Sequence, residues 1–192
     1  HLVASAEDIK AANRMIDQQQ QLIEEKLGSL IYGIENESLA EVTGRKLHHA
    51  GKTLATAESC TGGLLGELIT DIPGSSDYFL GGWVTYSNEM KISQLGVAST
   101  LIDQHGAVSE PVAAEMAARA RETANADYAL AITGIAGPGG GSEQKPVGLV
   151  YIALDGNDHT RVEKHIISHD RKSVRLRAAK TALNMLRLAL SD

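Results

Sequence analysis

Glu58-Ser59-Cys60-Thr61-Gly62-Gly63 sets two hydroxyls and a thiol beside a glycine pair, at the end of the apolar stretch Thr53–Ser59. A side chain at such a strand-to-helix turn projects into the crevice at the strand ends, where α/β folds bind ligands. The N–H groups of Cys60, Thr61, Gly62 and Gly63 could hold an anion or a developing oxyanion, and glycine lets a ligand come close. One preorganised donor of that kind supplies about 3 kcal/mol to a transition state. The plainer alternative is that Ser59 and Thr61 only cap the helix.

A serine at its ordinary pKa is a poor nucleophile and needs a base. Lys91, in Tyr86-Ser87-Asn88-Glu89-Met90-Lys91, starts the element after a second strand and could point into the same crevice. It serves as a base only if burial lowers its pKa by roughly 3. The alternative is a solvated surface lysine. Tyr86 could relay or position a proton. Cys60 is the rival nucleophile, or else a small buried residue. No Gly-x-Ser-x-Gly elbow occurs, so an α/β-hydrolase reading fails.

A second stretch, Thr133-Gly134-Ile135-Ala136-Gly137-Pro138-Gly139-Gly140-Gly141-Ser142, also follows a buried strand and would open onto the same sheet edge as Ser59. Its glycines expose N–H groups suited to phosphate or carboxylate; a flexible connector is the alternative. It is neither a Walker loop nor a Gly-x-Gly-x-x-Gly dinucleotide fingerprint. Arg171 and Arg175 share a face at the start of the last helix, where a phosphate would gain from both guanidinium groups and the helix dipole. That helix also carries Lys172, Arg177, Lys180 and Arg187 against only Asp192, most of it a solvated face. His165 and His169 lack a supporting carboxylate, so metal binding is not expected. His105 reads as a structural loop residue.

The elements that must position these groups follow from the periodicity. Residues 1–35 are polar; Ser5 with Asp8 suggests a capped helix whose Ile9, Ile16, Ile23 and Leu27 form one narrow stripe needing a partner. A second helix is expected from Asn36 to Gly51, burying Leu39, Val42 and Leu47. Strands are expected at Thr53–Ser59, Trp83–Ser87 and Asp127–Thr133, then a hairpin of Val147–Leu154 and Thr160–Ser168 around Asp155-Gly156-Asn157. Helices are expected at Gly62–Thr70, from an Asn88 cap to Leu95, from Ser109-Glu110-Pro111 to Ala124, and at Arg171–Leu190. Strands separated by helices, with one late hairpin, give a three-layer α/β domain with a mixed sheet.

Composition sets outer limits. The chain has 192 residues, 43% hydrophobic and 22% charged, with a net charge of −6. That charge argues against a nucleic-acid binder, and no apolar run nears the roughly 18 residues of a membrane span. One cysteine forms no internal disulfide and no thiolate zinc site, so a reducing, cytoplasmic setting is expected. The chain starts at His1 with no signal-peptide pattern, and reads as part of something longer or as carrying a tag remnant.

Ala57–Gly63 (AESCTGG), Pro73–Ser75 with Gly82–Asn88 (GWVTYSN), His105–Glu110 (HGAVSE), Ala131–Pro138 (AITGIAGP) and Lys145–Gly148 (KPVG) together resemble the C-terminal domain of the competence/damage-inducible CinA proteins. The resemblance runs from about Ser38 to Leu190. Residues 1–35 resemble the linker preceding this domain in two-domain members. The stand-alone form is a nicotinamide-nucleotide amidase. The resemblance therefore implies a three-layer α/β/α fold like that of anticodon-binding domains. It also implies hydrolysis of the nicotinamide mononucleotide carboxamide to the carboxylate, with release of ammonia and with neither metal nor cofactor. By motif, Ser59 would be the nucleophile, Lys91 its base and Tyr86 an assisting hydroxyl. Cys60–Gly63, Thr133, Gly134, Gly137, Gly139 and Gly140 would meet the substrate, with Arg171 or Arg175 on its charged end. Ser168-His169-Asp170-Arg171 departs from the family pattern, which leaves the choice of arginine open. A homodimer, fusion to an N-terminal domain, and no nucleic-acid or membrane partner complete the expectation. Two rivals stand: a catalytically silent family member that binds nucleotides or a protein, and an ADP-ribose pyrophosphatase whose site would lie in the N-terminal domain.

Overall fold

The computed structural model describes residues 1–156 and 159–190 and divides into two units, residues 1–37 and 38–192. The first unit is built on helix α1 (Ile9–Leu27). Its cap is Asp8, whose carboxylate accepts from the Ala11 N–H at 2.7 Å, rather than the expected Ser5. No residue of α1 is buried, and Ile9, Met15, Leu22, Ile23 and Leu27 are exposed.

The first helix of the second unit is α2 (Leu39–Ala50), which begins three residues after the expected start at Asn36. Ser38 accepts from the Glu41 N–H and Glu41 accepts in return from the Ser38 N–H, so this reciprocal pair outcompetes Asn36 as the cap. Gly51, at φ 60°, ends the helix in the left-handed region. Strand β1 (Leu54–Glu58), helix α3 (Leu64–Thr70), strand β2 (Phe79–Val84) and helix α4 (Asn88–Leu95) follow. Helices α5 (Ser99–His105) and α6 (Glu110–Ala124) lead to strands β3 (Tyr128–Gly134), β4 (Leu149–Asp155) and β5 (Thr160–Ile166), and helix α7 (Arg171–Ala189) closes the unit.

The sheet order is β2-β1-β3-β4-β5, with β2, β1 and β3 parallel and β4 and β5 antiparallel. Its two faces are chemically unequal. Leu54, Leu130, Ile132, Val150, Ile152 and Leu154 pack against α2, α3 and α7, where each buried Leu or Ile stabilises by roughly 1.5–3 kcal/mol. Ala55, Ala57, Ala129, Ala131 and Ala153 face the other way. That low face lets α6 come close through Val112, Ala113, Met116, Ala117 and Ala120. Strict alternation of large and small residues along β1 and β3 is what makes this a mixed α/β sandwich of three layers.

Two further expectations need correction. The second strand is Phe79–Val84, not Trp83–Ser87. The glycine pair Gly81-Gly82 resembles a loop, but a Cβ at Gly82 would stand 2.1 Å from Thr56 Oγ1, so glycine is what lets β2 lie against β1. Thr85 and Tyr86 are thereby released from the strand. The cap of α4 is Ser87, whose hydroxyl accepts from the Met90 N–H at 3.2 Å, not Asn88. Helix α5 was not expected at all. Asn157 and Asp192 lie outside the described residues.

Candidate active site

Three parallel strand ends meet at one edge. The Ser59 N–H donates to Ile132 O at 2.9 Å and the Thr85 N–H donates to Glu58 O at 2.8 Å, which holds the ends of β1, β2 and β3 level. Above this edge lies a crevice of about 280 Å³. Ser59, Cys60, Tyr86, Asn88, Lys91 and Thr133 line it, with Ala107, Val108, the glycine-loop residues 134–137, 139 and 140, and Arg171.

Lys91, on the first turn of α4, is 1% exposed, and its Nζ lies 3.0 Å from Ser59 Oγ. The amine also donates to the Thr85 carbonyl at 2.9 Å. A hydroxyl and a carbonyl are its hydrogen-bond partners, and neither is charged. Burial therefore holds the Lys91 pKa below its ordinary value, with the neighbouring Cys60 opposing this only in part. The same burial pushes the Cys60 thiol up to about 11, chiefly by desolvation. Little thiolate therefore exists near neutral pH, which weakens Cys60 as a candidate nucleophile.

The turn after Ser59 uses much of its own hydrogen-bonding capacity. The Gly62 N–H donates to Ser59 O at 3.1 Å, and the Gly63 N–H donates to Glu58 Oε2 at 3.1 Å. Among the described residues the Cys60 and Thr61 N–H groups make no backbone–backbone hydrogen bond. Thr61 is wholly buried, and Thr61, Gly62 and Gly63 are not among the crevice-lining residues. Thr133 is also wholly buried and donates its hydroxyl to Ala107 O at 2.8 Å, which ties the glycine loop's root to the start of α6.

The two arginines are separated by the fold. Arg171 reaches across the mouth, donating to Gly137 O at 2.7 Å and to the Tyr86 hydroxyl at 2.8 Å. Arg175 is instead held by the Thr61 carbonyl, at 3.1 Å from Nε and 2.6 Å from Nη2. His105 lies outside the crevice, and its carbonyl accepts from Lys145 Nζ at 2.7 Å. His165 pairs with Glu163. Among the described residues no group of three His, Cys, Asp or Glu side chains is arranged to hold a metal ion, and no helix is long and apolar enough to cross a membrane.

Sequence reasoning passed over Asn88 and Glu58. The sequence points to Asn88 as a helix cap, but Ser87 immediately before it takes that role and leaves Asn88 on the crevice wall, one turn from Lys91. Glu58 is 2% exposed, and an acidic residue closing an apolar strand was the available signal.

A serine hydroxyl and a buried lysine amine in hydrogen-bond contact at the parallel-strand edge define the site of this mixed α/β sandwich. Residues 36–190 match the family model of the CinA C-terminal domain. The chain belongs to this family. It is 46% identical over 191 residues to a CinA-like protein of Syntrophomonas wolfei, covering all of this chain and 46% of that relative. The chain thus spans about half the length of the curated relatives it matches. Among solved structures, the competence/damage inducible protein CihA of Agrobacterium tumefaciens superposes with a TM-score of 0.73 at 40% identity, covering 83% of this chain and all of that one. A CinA superfamily protein of Klebsiella pneumoniae gives 0.76 at 33% identity, covering 81% and 99%.

Proposed function

We propose that this chain is an amidohydrolase that converts nicotinamide mononucleotide and water to nicotinate mononucleotide and ammonia. The observation that carries this reading is the Lys91 amine, buried among uncharged groups 3.0 Å from Ser59 Oγ. In its neutral form the amine takes the Ser59 proton as Oγ attacks the carboxamide carbon. The oxyanion that forms is met by the Cys60 N–H, the amide next to the nucleophile. Protonated Lys91 then gives the proton to the departing nitrogen; the C–N bond breaks, ammonia leaves, and the acyl group remains as an ester on Ser59 with Lys91 neutral again. Water, deprotonated by Lys91, then attacks the ester carbon; the carboxylate leaves and Ser59 regains its proton.

The remaining crevice residues suit the rest of such a substrate. Arg171 uses two of its five N–H donors on Gly137 and Tyr86, so others remain for a phosphate. Thr133, Gly134, Gly137, Gly139 and Gly140 form the wall along which the ribose phosphate would lie. Tyr86, accepting from Arg171, keeps its own hydroxyl proton to donate. The wider reading includes a cytoplasmic protein fused to a preceding domain, as the partial coverage of its relatives suggests, and a homodimer formed through the exposed apolar face of α1.

Ammonia release from nicotinamide mononucleotide, with and without a chelator, tests this. Release that survives chelation and falls at least ~10³-fold in Ser59→Ala is expected. No release, release abolished by the chelator, or undiminished turnover by Ser59→Ala overturns the reading. Saturable nucleotide binding without turnover would instead identify a catalytically silent family member.

A further inference from the structure

The Ser59 turn is gripped from both sides by charged side chains that lie outside the crevice. On one side the Glu58 carboxylate points into the start of α3. Its Oε2 accepts from the N–H groups of Gly63 at 3.1 Å and Leu65 at 3.0 Å, and its Oε1 accepts from Gly66 at 2.8 Å. On the other side the Arg175 guanidinium converges through two N–H groups on the Thr61 carbonyl. Gly62 lies between the two grips at φ 59°, with the Arg175 guanidinium and the Tyr86 ring over the space where a Cβ would stand.

We infer that Glu58 and Arg175 are positioning residues that fix the Ser59 hydroxyl against Lys91, and that Arg175 acts through Thr61 and not on the substrate. This rests on Ser59 being the nucleophile. An anion holding three amides and a planar fork holding one carbonyl fix the turn in orientation as well as place. Reaction rate is sensitive to that placement, since a shift of about 1 Å can cost 10²-fold. Arg171 and Arg175 are one helical turn apart and look equivalent in the sequence. Only Arg171 is exposed and lines the crevice, so it alone is placed to meet an anionic substrate.

The test separates nucleophile reactivity from ligand affinity in the full chain. A fluorophosphonate reports Ser59 directly, because the Oγ–P bond forms as fluoride leaves and no amide substrate is involved. Nicotinate mononucleotide, which is not hydrolysed, reports affinity by calorimetry. Arg175→Ala is expected to slow labelling roughly 10- to 100-fold while its nucleotide Kd stays within about twofold of the parent. Millimolar guanidinium should restore part of that labelling rate. Arg175→Lys, which keeps the charge without the fork, should fall between, and Glu58→Gln should also slow labelling. Arg171→Ala should weaken the nucleotide Kd and slow labelling less than Arg175→Ala does. Parental labelling rates in Arg175→Ala, or a loss of affinity matching that of Arg171→Ala, would overturn the positioning role alone. A parent chain that resists labelling altogether would refute the nucleophile, and the clamp with it.

Discussion

Lys91 Nζ and Ser59 Oγ stand 3.0 Å apart although 32 residues and a β-strand separate them in the chain. The two are joined because β1 and β2 are parallel neighbours, so the turn after one and the helix after the other rise from the same sheet edge. Among the described residues Lys91 has no carboxylate hydrogen-bond partner, which distinguishes it from a lysine held in an ion pair. Its burial therefore works against its charge.

The first consequence is a pH dependence. A base must be neutral to act, so kcat/KM should climb with pH as Lys91 loses its proton. Because burial lowers the Lys91 pKa, the midpoint of that rise should fall below the ordinary 10.5. A pH profile that is flat from about pH 6 to about pH 10 would contradict the role of Lys91.

Stability should respond in the same direction. A lysine whose folded pKa lies below its unfolded value binds fewer protons when folded, so stability is lost as pH falls from 10.5 through the folded pKa. Lys91→Met removes this penalty while filling a similar volume. The variant should melt a few degrees higher than the parent at neutral pH, since ~1 kcal/mol is worth roughly 2–4 °C in a chain of this size, and should lose turnover. A lower melting temperature measured by calorimetry would show that the amine contributes more through its hydrogen bonds than burial costs it.

Cys60 is expected to be dispensable as a nucleophile. With its thiol pKa raised to about 11, alkylation by iodoacetamide near neutral pH should be far slower than for a free cysteine. Cys60→Ala should keep turnover within about tenfold, because the backbone N–H at this position survives the change. Loss of activity on the scale of Ser59→Ala would move the nucleophile to the thiol.

At the far end of the domain, Gly44 and Tyr78 make a purely structural pair. A Cβ on Gly44 would stand 2.3 Å from the Tyr78 hydroxyl oxygen, so Gly44→Ala should destabilise by about 1–3 kcal/mol through overpacking. That hydroxyl is buried and has no hydrogen-bond partner among the described residues. Tyr78→Phe, which deletes it, should therefore be neutral or stabilising by denaturant titration.

Elements with strong local signals were legible in the chain. The Ala-rich helix after Ser109-Glu110-Pro111 and the buried strands around TLATAES and DYALAIT lie within a residue or two of their expected places. The second strand was misplaced because Gly81-Gly82 is unsuited to a strand by propensity. Only its contact with Thr56 on β1 makes glycine the right residue there. The cap of α2 was misplaced because Asn36 and Ser38 are both good caps. Glu41, three residues beyond Ser38, decides between them by answering it. Helix α5 was missed because seven residues with one buried side chain carry almost no periodic signal.

The sequence alone determined that a hydroxyl, a lysine and a glycine-rich loop each follow a buried strand, because hydrophobic runs and turn residues act locally. It also determined the unequal faces of the sheet, since large and small residues alternate along a single strand. Only the tertiary structure decided what touches what. Arg171 faces the crevice while Arg175 grips Thr61, and Gly63 gives its amide to Glu58 instead of to the crevice. Those outcomes depend on the placement of α7 and α3 against the sheet to within a few ångströms, and helical periodicity says which face a residue occupies but not what it meets there.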